Sequence, residues 1–246
     1  MTPGRRLGQH FLTDPELLRR IAAALDPSPA DVVIEIGPGR GSLTAQLAPR
    51  VARVIAIEKD RKLARDCGVR SADCGLDNVE VVEGDALKVD WQALIPQSAI
   101  RNAQFKIVGN IPYSSEVAER IAAAPGGKAY GALSVGVQAA CQVELLFRVR
   151  AGAFRPPPRV ESALLRLTPL AEPLIRPEDG PALRRFVTAC FSRRRKQLRN
   201  VLAAAAGRPA EAASAGLAAL GLDPAARPET LPPAAFVRLL RWSGRL

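Results

Sequence analysis

Short apolar runs and helically spaced apolar residues alternate along the first half of the chain. The runs are Val32-Val33-Ile34-Glu35-Ile36, Val54-Ile55-Ala56-Ile57, Val79-Glu80-Val81-Val82 and Phe105-Lys106-Ile107-Val108-Gly109. Each is rich in β-branched residues and ends at a glycine or an acid, the pattern of a buried strand. Ahead of them, Leu17, Leu18, Ile21 and Leu25 recur at helical spacing over residues 14–25, behind an Asp14-Pro15 start signal. A second helix is expected from about Ser42 to Ala48. Strands alternating with helices predict an α/β fold, a parallel sheet covered on both faces.

The later pattern is less regular. A helix is expected over Leu133 to Ala140, and strands over Val143 to Val149 and Ser162 to Leu167. Between those strands, Phe154-Arg155-Pro156-Pro157-Pro158-Arg159-Val160 is a stiff loop, because three prolines fix φ and remove donors. The proline-rich stretch 169–181 marks a boundary, and the chain beyond it is helical over 182–206, 210–220 and 233–242. The expected division is 1–170 and 171–246.

Composition narrows the class. The chain has 246 residues, 48% of them hydrophobic, enough for a large core, and no run of about 18 apolar residues suggests a membrane span. Residues 1–8 carry charge without an apolar stretch, so no secretory signal is expected. Cys67, Cys74, Cys141 and Cys190 show no C-x-x-C spacing, and His10 is the lone histidine. No metal site is expected, and reduced thiols fit a cytoplasmic protein. The net charge of +11 is unevenly placed. Residues 1–147 hold 17 basic and 17 acidic residues; residues 148–246 hold 18 and 7. A basic segment beside a neutral one points to a polyanionic partner such as RNA.

Candidate chemistry starts at Glu35-Ile36-Gly37-Pro38-Gly39-Arg40-Gly41, between a strand and a helix. Glycines there let the backbone approach a ligand. Glu58 ends the next strand, 21 residues after Gly37, the usual interval for a carboxylate that takes ribose hydroxyls. The pattern is G-x-G-x-G rather than the dinucleotide G-x-G-x-x-G. Glu35 adds a negative charge that suits a cationic sulfonium better than a pyrophosphate. Asp85 and Ala86 follow the third strand, where a carboxylate and an N–H can bind adenine. These features favour S-adenosylmethionine, with S-adenosylhomocysteine as product; a purely structural glycine loop is the alternative.

Asn110-Ile111-Pro112-Tyr113 follows the fourth strand. Ligands of open α/β sheets sit beyond the carboxyl ends of the strands, so Asn110 should face the methyl donor. Its side-chain oxygen, with a backbone carbonyl stiffened by Pro112, can hold an exocyclic base amine. Tyr113 can stack on a base drawn out of its helix. A plain turn is the alternative reading.

Taken together, these residues resemble the KsgA-type small-subunit ribosomal RNA adenine dimethyltransferases, relatives of the Erm methyltransferases. The matching pieces include Gly8-Gln9-His10-Phe11-Leu12, Glu35-Ile36-Gly37-Pro38-Gly39, Asn110-Ile111-Pro112-Tyr113 and Phe154-Arg155-Pro156-Pro157-Pro158. Phe191 to Asn200, Gly221-Leu222-Asp223-Pro224 and Arg227 to Leu231 also match. The resemblance implies a Rossmann-like class I methyltransferase sheet of seven strands with a small all-helical C-terminal domain. It implies dimethylation of two adjacent adenosines near the 3′ end of 16S rRNA, by a monomer acting on the small ribosomal subunit. Carried over, His10, Leu12, Gly37, Glu58, Asp85, Ala86 and Asn110 would hold the cofactor. Asn110, Pro112, Tyr113 and Phe154 would serve catalysis, with Tyr113 and Phe154 bracketing the base. Arg193, Arg194, Arg195, Lys196 and Arg199, expected on one helix over 182–206, would contact RNA. An Erm-like enzyme acting on large-subunit rRNA and a non-catalytic assembly factor are the alternatives.

One departure stands out. The family has a helix and a strand between Asn-x-Pro-Tyr and the Glu-Val-Ala-Glu-Arg segment, yet here Ser115 leads directly to Glu116. Parallel neighbours need a crossover of about 10–12 residues or more. Either further residues lie between Ser115 and Glu116 that this sequence omits, or the protein lacks both elements. Loss of a central strand should be ruinous, so the first is expected. It places those Cα atoms well beyond the roughly 3.8 Å of bonded neighbours.

Overall fold

The computed structural model describes residues 10–89, 94, 105–109 and 115–244. Four parallel strands form the central sheet: β2 (Val32–Ile36), β3 (Arg53–Glu58), β4 (Val79–Glu83) and β5 (Phe105–Gly109), in the order β4-β3-β2-β5. A two-residue strand, β1 (Phe11–Leu12), precedes them. Val33, Ile34, Val54, Ile55 and Ala56 are fully buried, as expected where helices cover both faces. The register pairs Ile36 with both Ile57 and Gly109, so β2, β3 and β5 end at one level. This level places the candidate site.

Capping sets the helix starts. Helix α1 (Pro15–Ala24) begins where the Asp14 carboxylate accepts from the N–H groups of Glu16 and Leu17. The helix expected over 42–48 is shorter: α2 is Thr44–Leu47, and Pro49 lies in the tighter 3-10 turn that follows, Ala48–Arg50. Helix α3 (Arg61–Asp73) has no counterpart in the sequence reading. Its buried side, Ala64, Cys67 and Ser71, is too weakly hydrophobic to give a periodic signal. Asp60 caps it, accepting from Lys62 and Leu63.

The rest of the chain gives α4 (Ser115–Ala122), α5 (Ala132–Gln138), β6 (Cys141–Val149), β7 (Phe154–Arg155) and β8 (Ser162–Pro169). Strand β1 pairs antiparallel with β7, and β6 pairs with β8. Among the described residues, no seven-stranded sheet forms and no strand pairs with the outer edge of β5. Ser115 and Glu116 are consecutive residues of α4, so the break expected between them is absent.

The contacts divide the chain into two compact units, Met1–Ser114 with Arg148–Ser162, and Ser115–Phe147 with Ala163–Leu246. This differs from the boundary at 170/171 drawn from the prolines. The reason is the core of the second unit. Tyr130, Val135 and Ala139 pack in one apolar cluster with Leu183, Phe186, Leu202, Leu217, Phe236 and Leu240. The buried Tyr130 hydroxyl donates to the Leu231 carbonyl at 2.8 Å. Thus α4 and α5 belong with the C-terminal helices α6 (Gly180–Phe191), α7 (Leu198–Ala206), α8 (Ala210–Ala219) and α9 (Pro233–Trp242).

The single helix expected over 182–206 is two helices, α6 and α7, with a turn at 192–197. Lys196 N–H closes that turn on the Arg193 carbonyl at 2.8 Å. The first N–H groups of α7 donate to loop carbonyls, Leu198 to Ala226 at 2.8 Å and Arg199 to Pro224 at 3.1 Å. Tertiary acceptors thus replace the helical turn that would otherwise join the two.

Helices α8 and α9 meet where Gly216 leaves room for an aromatic ring. A Cβ at Gly216 would overlap Cε2, Cζ2 and Nε1 of Trp242. The Arg208 guanidinium lies over that ring, 4.9 Å from its centroid. Gly216→Ala should therefore lower stability by about 1–3 kcal/mol, the usual cost of overpacking, despite alanine's better helix propensity. Urea unfolding of the variant beside the parent protein measures the difference.

Candidate functional site

The site of the first unit is assembled at the carboxyl ends of β2, β3 and β4. After β2, Gly37, Gly39 and Gly41 adopt φ of 70°, 57° and 76°, a region costly for any other residue. At Gly39 space is limiting too, since a Cβ would stand 3.1 Å from the Phe11 ring. The turn is pinned from β3: Gly37 N–H donates to the Ile57 carbonyl at 2.9 Å, and Gly39 N–H to Glu58 Oε2 at 3.1 Å. The other Glu58 oxygen accepts from Asp60 N–H at 2.9 Å. Glu58 is only 7% exposed. Its backbone carbonyl accepts from Gly84 N–H at 2.9 Å, which ties in the end of β4.

Asp85 lies two residues beyond β4. Its Oδ2 accepts from Lys59 Nζ at 3.0 Å, and its Oδ1 from Leu87 N–H at 3.1 Å. The Lys59 hydrogen bond, then that from Leu87, hold its pKa below the ordinary carboxylate value. Ala86 follows in a turn closed by Lys88 N–H on the Asp85 carbonyl at 2.7 Å.

The N-terminal arm and the proline loop, distant in sequence, meet here. Leu12 is the strand partner of Phe154, and Phe11 of Arg155. His10 Nδ1 lies 2.8 Å from the Pro156 carbonyl oxygen. The Phe11 ring rests on the glycine turn, with the Arg40 guanidinium 4.8 Å from its centroid. The structure therefore gathers His10, Leu12, Gly37, Glu58, Asp85 and Ala86 with Phe154 in one unit. Phe154 departs from expectation: it is 3% exposed, so its ring is packed inside rather than open to a base. Asn110, Pro112 and Tyr113 lie outside the described residues. Strand β5 delivers the chain as far as Gly109, opposite Ile36.

Glu35 is also corrected. It was expected to present a free negative charge, but it is buried beneath the turn, with Thr44 Oγ1 donating to its Oε2 at 2.6 Å. Burial, partly offset by the Thr44 bond and reinforced by Glu58, pushes its pKa up to about 7. The basic residues of the second unit also divide. Arg193, Arg195, Lys196 and Arg199 are exposed. Arg194 is half-buried and turned inward: Nε donates to Glu229 Oε2 at 2.5 Å, and its terminal nitrogens donate to the Lys128 and Gly127 carbonyls at 2.8 and 3.1 Å.

Sequence reasoning missed Thr44, Lys59, Asp60 and Phe11. Of these only Asp60 carries a local signal, an acid at an N-cap position ahead of a helix. Among the described residues, no group of three or more His, Cys, Asp or Glu side chains gathers as a metal site. None of the described helices is long and apolar enough to cross a membrane.

The fold is that of a class I methyltransferase, with a glycine turn, Glu58 and Asp85 at the carboxyl ends of three adjacent parallel strands. The family description "ribosomal RNA adenine dimethylase" matches residues 4–116 and 114–242, and the chain belongs to that family. It is 40% identical to the ribosomal RNA small subunit methyltransferase A of Syntrophotalea carbinolica, over 96% of this chain and 95% of that protein. It is similar to the crystal structure of a dimethyladenosine transferase from Plasmodium falciparum, with 25% identity and a TM-score of 0.79, covering 96% of this chain and 98% of that one. The 23S rRNA methyltransferase ErmE is 25% identical with a TM-score of 0.66, covering 94% and 98%.

The two family matches meet at residues 114–116. The S. carbinolica alignment runs over 261 positions, whereas 96% of 246 residues is about 236, so that relative has about 25 positions more. The family match is thus interrupted at the Ser115–Glu116 junction, where the sequence departs from the family.

A stability prediction follows from Glu35. Its folded pKa of about 7 lies above the ordinary value of 4.5, so the folded protein binds the extra proton between these values. Stability from this group should be greatest below pH 4.5, fall by about 3 kcal/mol as pH rises toward 7, and level off above it. Glu35→Gln, which keeps an oxygen for Thr44, should remove that slope. Urea unfolding of both proteins at pH 5, 6, 7 and 8 gives the comparison.

Proposed function

We propose that the protein transfers methyl groups from S-adenosylmethionine to the N6 amines of two adjacent adenosines near the 3′ end of small-subunit (16S) rRNA, giving dimethyladenosine. The observation that carries this reading is the turn, Glu58 and Asp85 array, joined to a strand, β5, that leads into Asn110-Ile111-Pro112-Tyr113. Partner, compartment and working form are then the small ribosomal subunit, the cytoplasm and a monomer.

The residues present fit the cofactor. The positive-φ glycines bring the backbone close, Glu58 is held rigidly for ribose hydroxyls, and Asp85 is an ionised acceptor for the adenine amine. When bound, S-adenosylmethionine supplies an electrophilic methyl group on sulfur. An adenine N6 amine is a weak nucleophile because its lone pair is delocalised into the ring. The Asn110 oxygen and a carbonyl of Ile111-Pro112 accept its two hydrogens and turn the lone pair toward the methyl. Tyr113 stacks on the base. Positioning does most of the catalytic work, and the amine's proton leaves to water after transfer. Phe154 serves through the β1–β7 pair, which seats His10 and Leu12 at the turn. Arg193, Arg195, Lys196 and Arg199 track RNA phosphates, while Arg194 holds the turn that presents them.

One observation favours a second reading. Loss of a strand beside the catalytic turn suits a factor that binds pre-ribosomal RNA without modifying it. Incubation with S-adenosylmethionine and unmodified small subunits, followed by nucleoside mass spectrometry, separates the two. Dimethyladenosine is expected, and Asn110→Ala should abolish it while S-adenosylhomocysteine still binds. Cofactor binding without product would favour the assembly factor; product on the large subunit alone would favour Erm-like chemistry.

The basic turn gives a further expectation. Alanine at Arg193, Arg195, Lys196 and Arg199 together should weaken subunit binding and flatten its salt dependence by about 0.7–0.9 log unit per lost contact. Arg194→Ala should instead lower the melting temperature. Filter binding across a salt series, with thermal melts, distinguishes the two kinds of residue.

A further inference from the structure

Glu58 ends β3 and Asp85 lies just beyond the adjacent parallel strand β4, so an adenosine held by both must lie across the ends of the two strands. Lys59 crosses the same space. It sits one residue beyond β3, and its ammonium reaches Asp85 Oδ2 at 3.0 Å. Leu87 N–H takes the other oxygen at 3.1 Å. Each oxygen thus has one donor, and the plane of the carboxylate is fixed. We propose that Lys59 is a positioning and specificity residue of the cofactor site: it aims the remaining lone pairs of Asp85 so that they accept an exocyclic amine and reject a ring carbonyl at the same position. This rests on the reading of Asp85 as the adenine partner.

The chemistry follows from the carboxylate's state. An ionised carboxylate only accepts hydrogen bonds. Beside Lys59, with Lys88 adding positive charge, Asp85 stays ionised. A 6-amino purine then meets an acceptor with a donor, whereas a 6-oxo purine sets oxygen against oxygen, and selectivity arises from that repulsion. Without the ammonium, the carboxylate can rotate about its side chain, so its lone pairs no longer keep the direction that meets an amine and opposes a carbonyl. A half-exposed ion pair with no role beyond stability would leave this discrimination unchanged, since such pairs contribute little.

The test is calorimetric titration of the full chain with S-adenosylhomocysteine and with its inosine analogue, S-inosylhomocysteine. Lys59→Met is expected to weaken S-adenosylhomocysteine about three- to fivefold, the scale of one half-exposed ion pair. The inosine analogue should bind as before or better, so the preference for adenine narrows. Lys59→Arg should restore it, and melting temperatures should not change. Equal loss for both ligands, or no loss, while Asp85→Ala still weakens S-adenosylhomocysteine, overturns the role of Lys59 and spares that of Asp85. Unchanged binding in Asp85→Ala overturns the reading beneath it.

Discussion

The Glu58 carboxylate is the constraint on which the site depends. Its two oxygens hold the N–H of Gly39, in the turn after β2, and the N–H of Asp60, at the start of α3. Its carbonyl holds Gly84 after β4. One residue therefore fixes three loops relative to one another. A buried carboxylate persists only when its lone pairs are satisfied, and backbone donors satisfy these without mobile side chains. Glu35, deeper under the same turn, meets the same problem differently. It has the Thr44 hydroxyl and a strong tendency to keep its proton. Two acids at one glycine loop are thus held by different kinds of donor, backbone N–H groups for Glu58 and a hydroxyl for Glu35.

The Ser115–Glu116 junction does not bear on this arrangement, because nothing in it is drawn from the segment after β5. Glu58, the glycine turn and Asp85 belong to β2, β3, β4 and the loops after them. Strand β5 closes the described sheet, with Ile107 49% exposed. Lys106 on the same strand is tied to Asp31 at 2.8 Å, and a charged side chain on an edge strand discourages pairing with foreign strands.

In the second unit one basic run serves two ends. Arg194 forms a hub with Glu229 and the carbonyls of Gly127 and Lys128, joining segments distant in sequence. Its neighbours are held outward as a consequence. Arginine suits such a hub because its planar fork satisfies several acceptors at once. The same turn separates α6 from α7, so these cations sit on a compact bend rather than along a helix face.

Local sequence determined the strands of the parallel sheet, the Asp14 cap, the glycine turn, and the acids Glu58 and Asp85 at strand ends. These follow from residue type and short spacing, through side-chain sterics and backbone hydrogen bonding. It also marked the Ser115–Glu116 junction as a departure from the family, since no crossover fits there, but the break in the chain expected at that point is absent. Only the tertiary structure decided which charges are free. Glu35 and Arg194 look in sequence like their exposed counterparts, and burial and partners many residues away set them apart. It decided as well that Phe154 packs against the N-terminal arm, that α4 and α5 join the C-terminal core, and that Lys59 reaches Asp85. Each depends on contacts between distant segments, where packing and desolvation outweigh any preference written locally in the chain.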